Sequence, residues 1–165
     1  MLVLKPLSSE AIPGALAKAE RYRLLNEPAE AESICLDILE VQPDNQQALV
    51  MLLLALTDQF DEDVSTKEAT DVLPRLKDQY ERAYYAGIIC ERRAKALRHR
   101  GGPASGLIAY DWFRKAMSWY EEAEQLRPPG NDDTLLRWNA CARFLLRHPQ
   151  LEPQPEEQAE PLLLE

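Results

Sequence analysis

The stretch AESICLDILEVQPDNQQAL, Ala31 to Leu49, sets a small residue first, a larger one four positions on, another three further, and a proline five after that. Those positions are Ala31, Cys35, Ile38 and Pro43. Much later, AMSWYEEAEQLRPPGNDD (Ala116 to Asp133) repeats the spacing in different residues, as Ala116, Tyr120, Ala123 and Pro128. Steps of four and three keep side chains on one face of an α-helix. The small residue allows a second helix axis to come close, the larger ones fill the groove beside it, and the proline ends the helix.

Outward from this stretch the helical period continues in both directions. Leu16, Ala19, Tyr22 and Leu25 form a stripe that ends at Asn26–Pro28, and Pro28 suits the first turn of the next helix. A third helix follows the PDN turn, with Leu49, Leu52, Leu53 and Leu56. Ser65 followed by Glu68 reads as a capping box, and Pro74 ends or kinks the helix that starts there. A long helix runs from about Lys77 to Leu97, and HRGGPASG is a loop. The helix from about Leu107 to Leu126 sets Leu107, Tyr110, Phe113, Met117, Tyr120 and Leu126 on one side. A last helix spans Asp133 to Arg147. No segment alternates with period two, so the expected class is all-α.

A helical hairpin with this second-helix signature resembles the tetratricopeptide repeat, a helix-turn-helix unit of about 34 residues that stacks into a right-handed solenoid. The resemblance implies antiparallel hairpins at about 12–45, 46–79 and 80–130 and a capping helix at 133–147, within a domain 12–148. Residues 1–11 form an N-terminal segment. In the first unit Ala19 and Tyr22 match the small and aromatic sites of the first helix, although Cys35 stands where the family usually has an aromatic. In the last unit Gly87 takes the small site. Leu53 and Ala69 take corresponding places in a degenerate middle unit without a terminal proline. Ala31 and Ala116 are 85 residues apart, against about 68 for two intact units, so about 17 residues are inserted, near Asp61 and from Arg98 to Gly106.

The family's usual role is holding a protein or peptide in the groove lined by its first helices. Carried over, that role falls to Tyr84, Tyr85, Ile88, Glu91 and Arg92, and on the cap helix to Leu135, Asn139 and Arg143. Tyrosine and arginine suit such a surface, being rigid and able to bind with little entropy loss. The competing reading puts the tyrosines in the core and the arginines in solvent. Leu16 and Glu20 hold the groove positions of the first helix, which speaks against the carboxylate-gripping variant of the family.

The net charge is −9, and five of the acidic residues lie in the proline-rich stretch 149–165, which has no basic residue and reads as a disordered tail. An acidic chain is not an obvious nucleic-acid binder. ERRAKALRHR, Glu91 to Arg100, is the one basic run and a possible seat for that tail. Cys35, Cys90 and Cys141 form no CxxC pair and suit buried positions in a reducing compartment. The longest apolar run, Ala48 to Leu56, is less than half a membrane span, and Lys5 and Pro6 cut the opening apolar run, so a cytoplasmic protein is expected. GGPASG lacks the lysine and hydroxyl residue of a phosphate loop. DQFDEDVS lacks the glycine and final glutamate of a calcium loop. Two histidines and three apolar-set cysteines assemble no metal or nucleophilic constellation. Trp112, Trp119 and Trp138 are expected to pack around the last hairpin. The function expected is a non-catalytic adaptor without cofactor. The alternatives are a client-specific chaperone or assembly factor, and a self-associating subunit favoured if Trp138, Phe144 and Leu145 are left exposed.

Overall fold

The computed structural model describes residues 1–62, 65–102 and 104–154, and every regular element among them is helical. Parts of the acidic stretch, of the glycine-proline loop and of the acidic tail lie outside the described residues. The α-helices are α1 (Ile12–Leu24), α2 (Pro28–Val41), α3 (Gln46–Thr57), α4 (Thr66–Val72), α5 (Gln79–Arg100), α6 (Ser105–Leu126) and α7 (Asp133–Arg147). Each packs on its successor, and α3 also touches α1 and α5.

Local chemistry fixes where these helices begin and end. Asn26 ends α1 with φ 60°, while the Glu27 amide reaches back to the Tyr22 carbonyl at 2.8 Å, satisfying a terminal acceptor. Asn45 starts α3 by accepting the Ala48 amide at 2.9 Å, and Asp78 starts α5 by accepting that of Tyr80 at 2.9 Å. Ser65 caps α4 through the Lys67 amide at 3.1 Å, one residue earlier than a capping box with Glu68 would have it. Pro74 ends α4 as anticipated, in a 3-10 turn at Leu73–Arg75. Because a left-handed residue with a Cβ is strained, Asn26→Ala is expected to lose about 1 kcal/mol and Asn26→Gly to lose little. Urea unfolding followed by circular dichroism measures both.

The α5–α6 hairpin is longer than the α1–α2 hairpin. α5 runs thirteen residues past Gly87, where α1 runs five past Ala19. α6 begins eleven residues before Ala116, where α2 begins three before Ala31. Eight extra residues on each helix and one in the connection account for the difference, and the acidic stretch near Asp61 contributes none. That stretch instead covers the extension, with Phe60 buried and its carbonyl accepting from Arg100 Nη2 at 3.2 Å.

Two large clusters and one small one fill the interior among the described residues. Ala19, Ala31, Cys35, Ile38, Leu49, Leu53 and Ala69 belong to the first, which Ile89 and Ala96 of α5 complete. Tyr22 packs at its edge. Ile88, Cys90 and Ala94 of α5 meet Phe113, Ala116, Met117, Tyr120 and Cys141 in the second. Gly87 faces Tyr120 so closely that no side chain fits between them, as the spacing of small and large residues implied. Ala123 is buried with Tyr80 and Ala83. Pro43 and Pro128 lie just past the ends of α2 and α6, both exposed.

Leu107 and Leu126 do not join the buried side of α6, being 52 % and 41 % exposed. Leu107 stands six residues before Phe113, about 120° around the helix from the buried stripe. Leu126 lines an open cavity on the opposite side of α5. Trp112 and Trp138 pack against the second cluster, whereas Trp119 is 39 % exposed beside Leu126. Trp138, Phe144 and Leu145, whose exposure would have marked a self-associating helix, pack against the second cluster too. No helix among the described residues is long and apolar enough to cross a membrane.

Candidate functional site

α1, α3 and α5 bring their side chains together on one open face. Toward the start of α5, Leu16 of α1, Val50 and Met51 of α3 and Tyr85 of α5 line a cavity of about 480 Å³. Its rim is polar and acidic, from Glu20, Gln46, Gln47 and Glu81. Burial, with the Asp78 carboxylate adding to it, pushes the Glu81 carboxyl above its ordinary range. Burial likewise pushes the Tyr85 phenol up to about 12, helped by Glu81, so it faces the cavity as a neutral aromatic.

Further along the same helices, Arg23, Asp58, Arg92, Lys95 and His99 line a polar cavity of about 370 Å³. Asp58 ties its walls together. It accepts Arg23 Nε at 2.6 Å and Arg92 Nη1 at 3.3 Å, so one half-buried carboxylate bridges α1 and α5. The three charges stand 35 and 34 residues apart in sequence. Leu16, Val50 and Tyr85 in the first cavity are separated by the same two steps in the other order.

Between α5 and α7 a third cavity of about 370 Å³ is lined by Lys95, Phe113, Arg143, Phe144, Arg147 and His148. Lys95 belongs to both charged cavities. Phe144 is held by stacking on His148 with centroids 4.3 Å apart and by tilted contact with Phe113 at 4.6 Å.

The residues singled out from sequence divide accordingly. Tyr85 and Arg92 lie on the α1–α3–α5 face, and Arg143 lies in the cavity beside it. Leu135 and Asn139 line a separate cavity of about 310 Å³ over α6, with Glu121 and Trp138. Tyr84 sits at the centre of an aromatic cluster, 5.8 Å from Tyr80, 5.1 Å from Tyr85 and 5.9 Å from Tyr120. Its phenol is pushed up to about 12, chiefly by burial and then by Asp133.

Ile88 is buried in the second cluster, and Glu91 is only 1 % exposed, so neither reaches the open face. Glu91 holds α7 in place instead. Its carboxylate accepts Lys95 Nζ at 2.9 Å, Arg137 Nε at 3.2 Å, the Tyr120 hydroxyl at 3.3 Å and the Cys141 thiol at 3.2 Å. Arg137 Nη2 donates to it as well. Three helices thus share one buried anion. Burial alone raises its pKa, but Lys95 and Arg137 together bring it below the ordinary 4.5.

Sequence reasoning missed Arg23, Val50, Met51 and Asp58, while Lys95 and His99 fall in the basic run it offered as a seat for the tail. The signal in the sequence is the step of 34 or 35 residues that separates Leu16, Val50 and Tyr85, and Arg23, Asp58 and Arg92.

The three thiols are not activated. Burial pushes the Cys35 thiol up to about 12 and the Cys90 thiol to about 11, and burial with Glu91 raises that of Cys141, the reverse of what a nucleophile needs. No group of metal-binding side chains occurs among the described residues. In comparison with known proteins, no family model, curated protein or solved structure matches the chain.

Proposed function

We propose that the protein is a non-catalytic interaction module of tetratricopeptide type, an adaptor that holds an extended segment of a protein partner across α1, α3 and α5. One observation carries this reading. Side chains 34 and 35 residues apart meet on one open face, Leu16 with Val50 and Tyr85 at one end, and Arg23 with Asp58 and Arg92 at the other. A stacked repeat is the simplest way to produce such a register. The face offers an apolar seat with a rigid aromatic wall beside fixed charges, the composition suited to anchoring a peptide. Burial of all three cysteines, each a free thiol, fits work in a reducing compartment such as the cytoplasm.

Peptides selected by phage display against the immobilised chain and titrated calorimetrically test the reading. Tyr85→Ala and Met51→Glu are each expected to weaken a selected peptide at least tenfold, about 1.4 kcal/mol. Trp119→Ala on the other side of α5 should leave the affinity unchanged. Circular dichroism first verifies that each variant keeps its helices. Peptides that bind all variants alike would move the site away from this face.

A further inference from the structure

The chain beyond Leu151 reads EPQPEEQAEPLLLE, with five glutamates, no base and three consecutive leucines. Its point of departure is fixed. Leu151 is buried and lies close against Gly106 at the start of α6, and its amide donates to the His148 carbonyl at 3.0 Å. His148 itself lines the cavity between α5 and α7, where Arg143 and Arg147 supply positive charge beside Lys95, which already pairs with Glu91 in the same lining. Lys95 then opens directly onto the cavity that contains Arg92, and further along α5 comes the apolar seat at Tyr85. A path therefore leads from the departure point over cations first and apolar surface last.

The sequence of the segment has the same order. Glu152, Glu156, Glu157 and Glu160 come first, and Leu162, Leu163 and Leu164 follow. The lengths agree. Lys95 to Tyr85 is ten residues of helix, about 15 Å, and Glu157 to Leu163 spans up to about 20 Å when extended. Burial of Leu151 at the near end fixes the direction, and Glu165 is the single acidic residue that the leucines carry toward Glu20 and Glu81. Two carboxylates, Asp58 and Asp61, line the charged cavity on the path beside Arg23, Arg92, Lys95 and His99, and Asp58 already pairs with Arg23 and Arg92.

We propose that residues 152–165 lie along this face of their own chain, glutamates against Arg143, Arg147, Lys95 and Arg92, leucines at Tyr85. The segment is then an internal occupant that an outside partner must displace, and the preferred partner segment shares its chemistry, acidic first and apolar after. This rests on the face being a binding surface, as proposed above.

The test uses the full chain. Ala159→Cys carries a nitroxide label, which selects the introduced thiol because the native ones are buried with raised pKa. Amide signals of Arg92, Lys95 and Arg143 are expected to broaden, while those around Trp119 stay sharp. Charge reversal in the segment (Glu156→Lys, Glu157→Lys and Glu160→Lys) should abolish the broadening. It should also tighten the binding of a display-selected peptide about tenfold, as an unoccupied face requires. Broadening that appears only around Trp119 and Leu126 would overturn the proposal. So would broadening passed from nitroxide-bearing chains to separate isotope-labelled chains, since that assigns the segment to a second copy. Absent broadening with a Tyr85-dependent peptide still bound would remove the internal occupant and leave the face intact. Absence of both would remove the two readings together.

Discussion

Gly87→Ala is expected to destabilise the fold by about 2 kcal/mol, although alanine is the better helix former by about 1 kcal/mol. A Cβ at Gly87 would stand 2.5 Å from Tyr120 Cε1 and 2.7 Å from Cδ1. The ring has nowhere to retreat. Tyr120 is fully buried, flanked by Tyr84 at 5.9 Å, and its hydroxyl donates to Glu91. Adding volume to such a contact forces the helices apart, and that cost outweighs the propensity gain. Urea unfolding of Gly87→Ala and of Gly87→Ala with Tyr120→Leu measures the effect. The double variant should lose less than the sum of its parts, because the smaller side chain clears the space. A stabilised Gly87→Ala would mean that α5 and α6 do not approach as described.

The second large effect centres on Glu91. Glu91→Leu leaves Arg137 without its buried partner and strips acceptors from Tyr120 and Cys141. Breaking a buried pair from one side typically costs about 3–5 kcal/mol. Arg137 keeps 32 % side-chain exposure, so water recovers part of the loss and about 3 kcal/mol is expected. Glu91→Gln keeps the shape and removes the charge, and should cost less. The pH dependence follows from the folded carboxyl being held below the ordinary 4.5. A depressed pKa contributes stability that is present above the unfolded value and lost as pH falls through the folded one. The wild type should therefore lose stability as the pH drops below 4.5, and Glu91→Gln should show a flatter acid limb. Urea midpoints across that range decide it; parallel curves for the two proteins would show that Glu91 adds nothing on ionising.

Much of this arrangement was legible in sequence because it is local. Proline and asparagine mark helix ends through backbone geometry, and the small-large spacing of Ala31 and Cys35, or Ala116 and Tyr120, encodes a close helix pair. Long-range polar pairing has no such local mark. Asp58 opens the acidic stretch DQFDEDVS, which shows no ligand motif in sequence, and its role depends on cations 35 and 34 residues away. The resemblance to the repeat, with Gly87 at the small site, implies a place for Glu91 on the open face. Arg137, 46 residues on, draws it inside by bringing α7 over it. Ile88 falls to the same cause, since the docking of α6 and α7 decides which side of α5 stays open.

α5 supplies Ile89 and Ala96 to one cluster and Ile88, Cys90 and Ala94 to the other. Neither half of the molecule can therefore loosen without disturbing the other. In terms of hydrogen exchange, the amides along the middle of α5 are expected to trade protons with solvent only when the whole chain unfolds. Arg92 and Lys95 ride on that slowest segment. The surface they form thus persists for as long as the protein itself, without a partly opened state in which it is lost first.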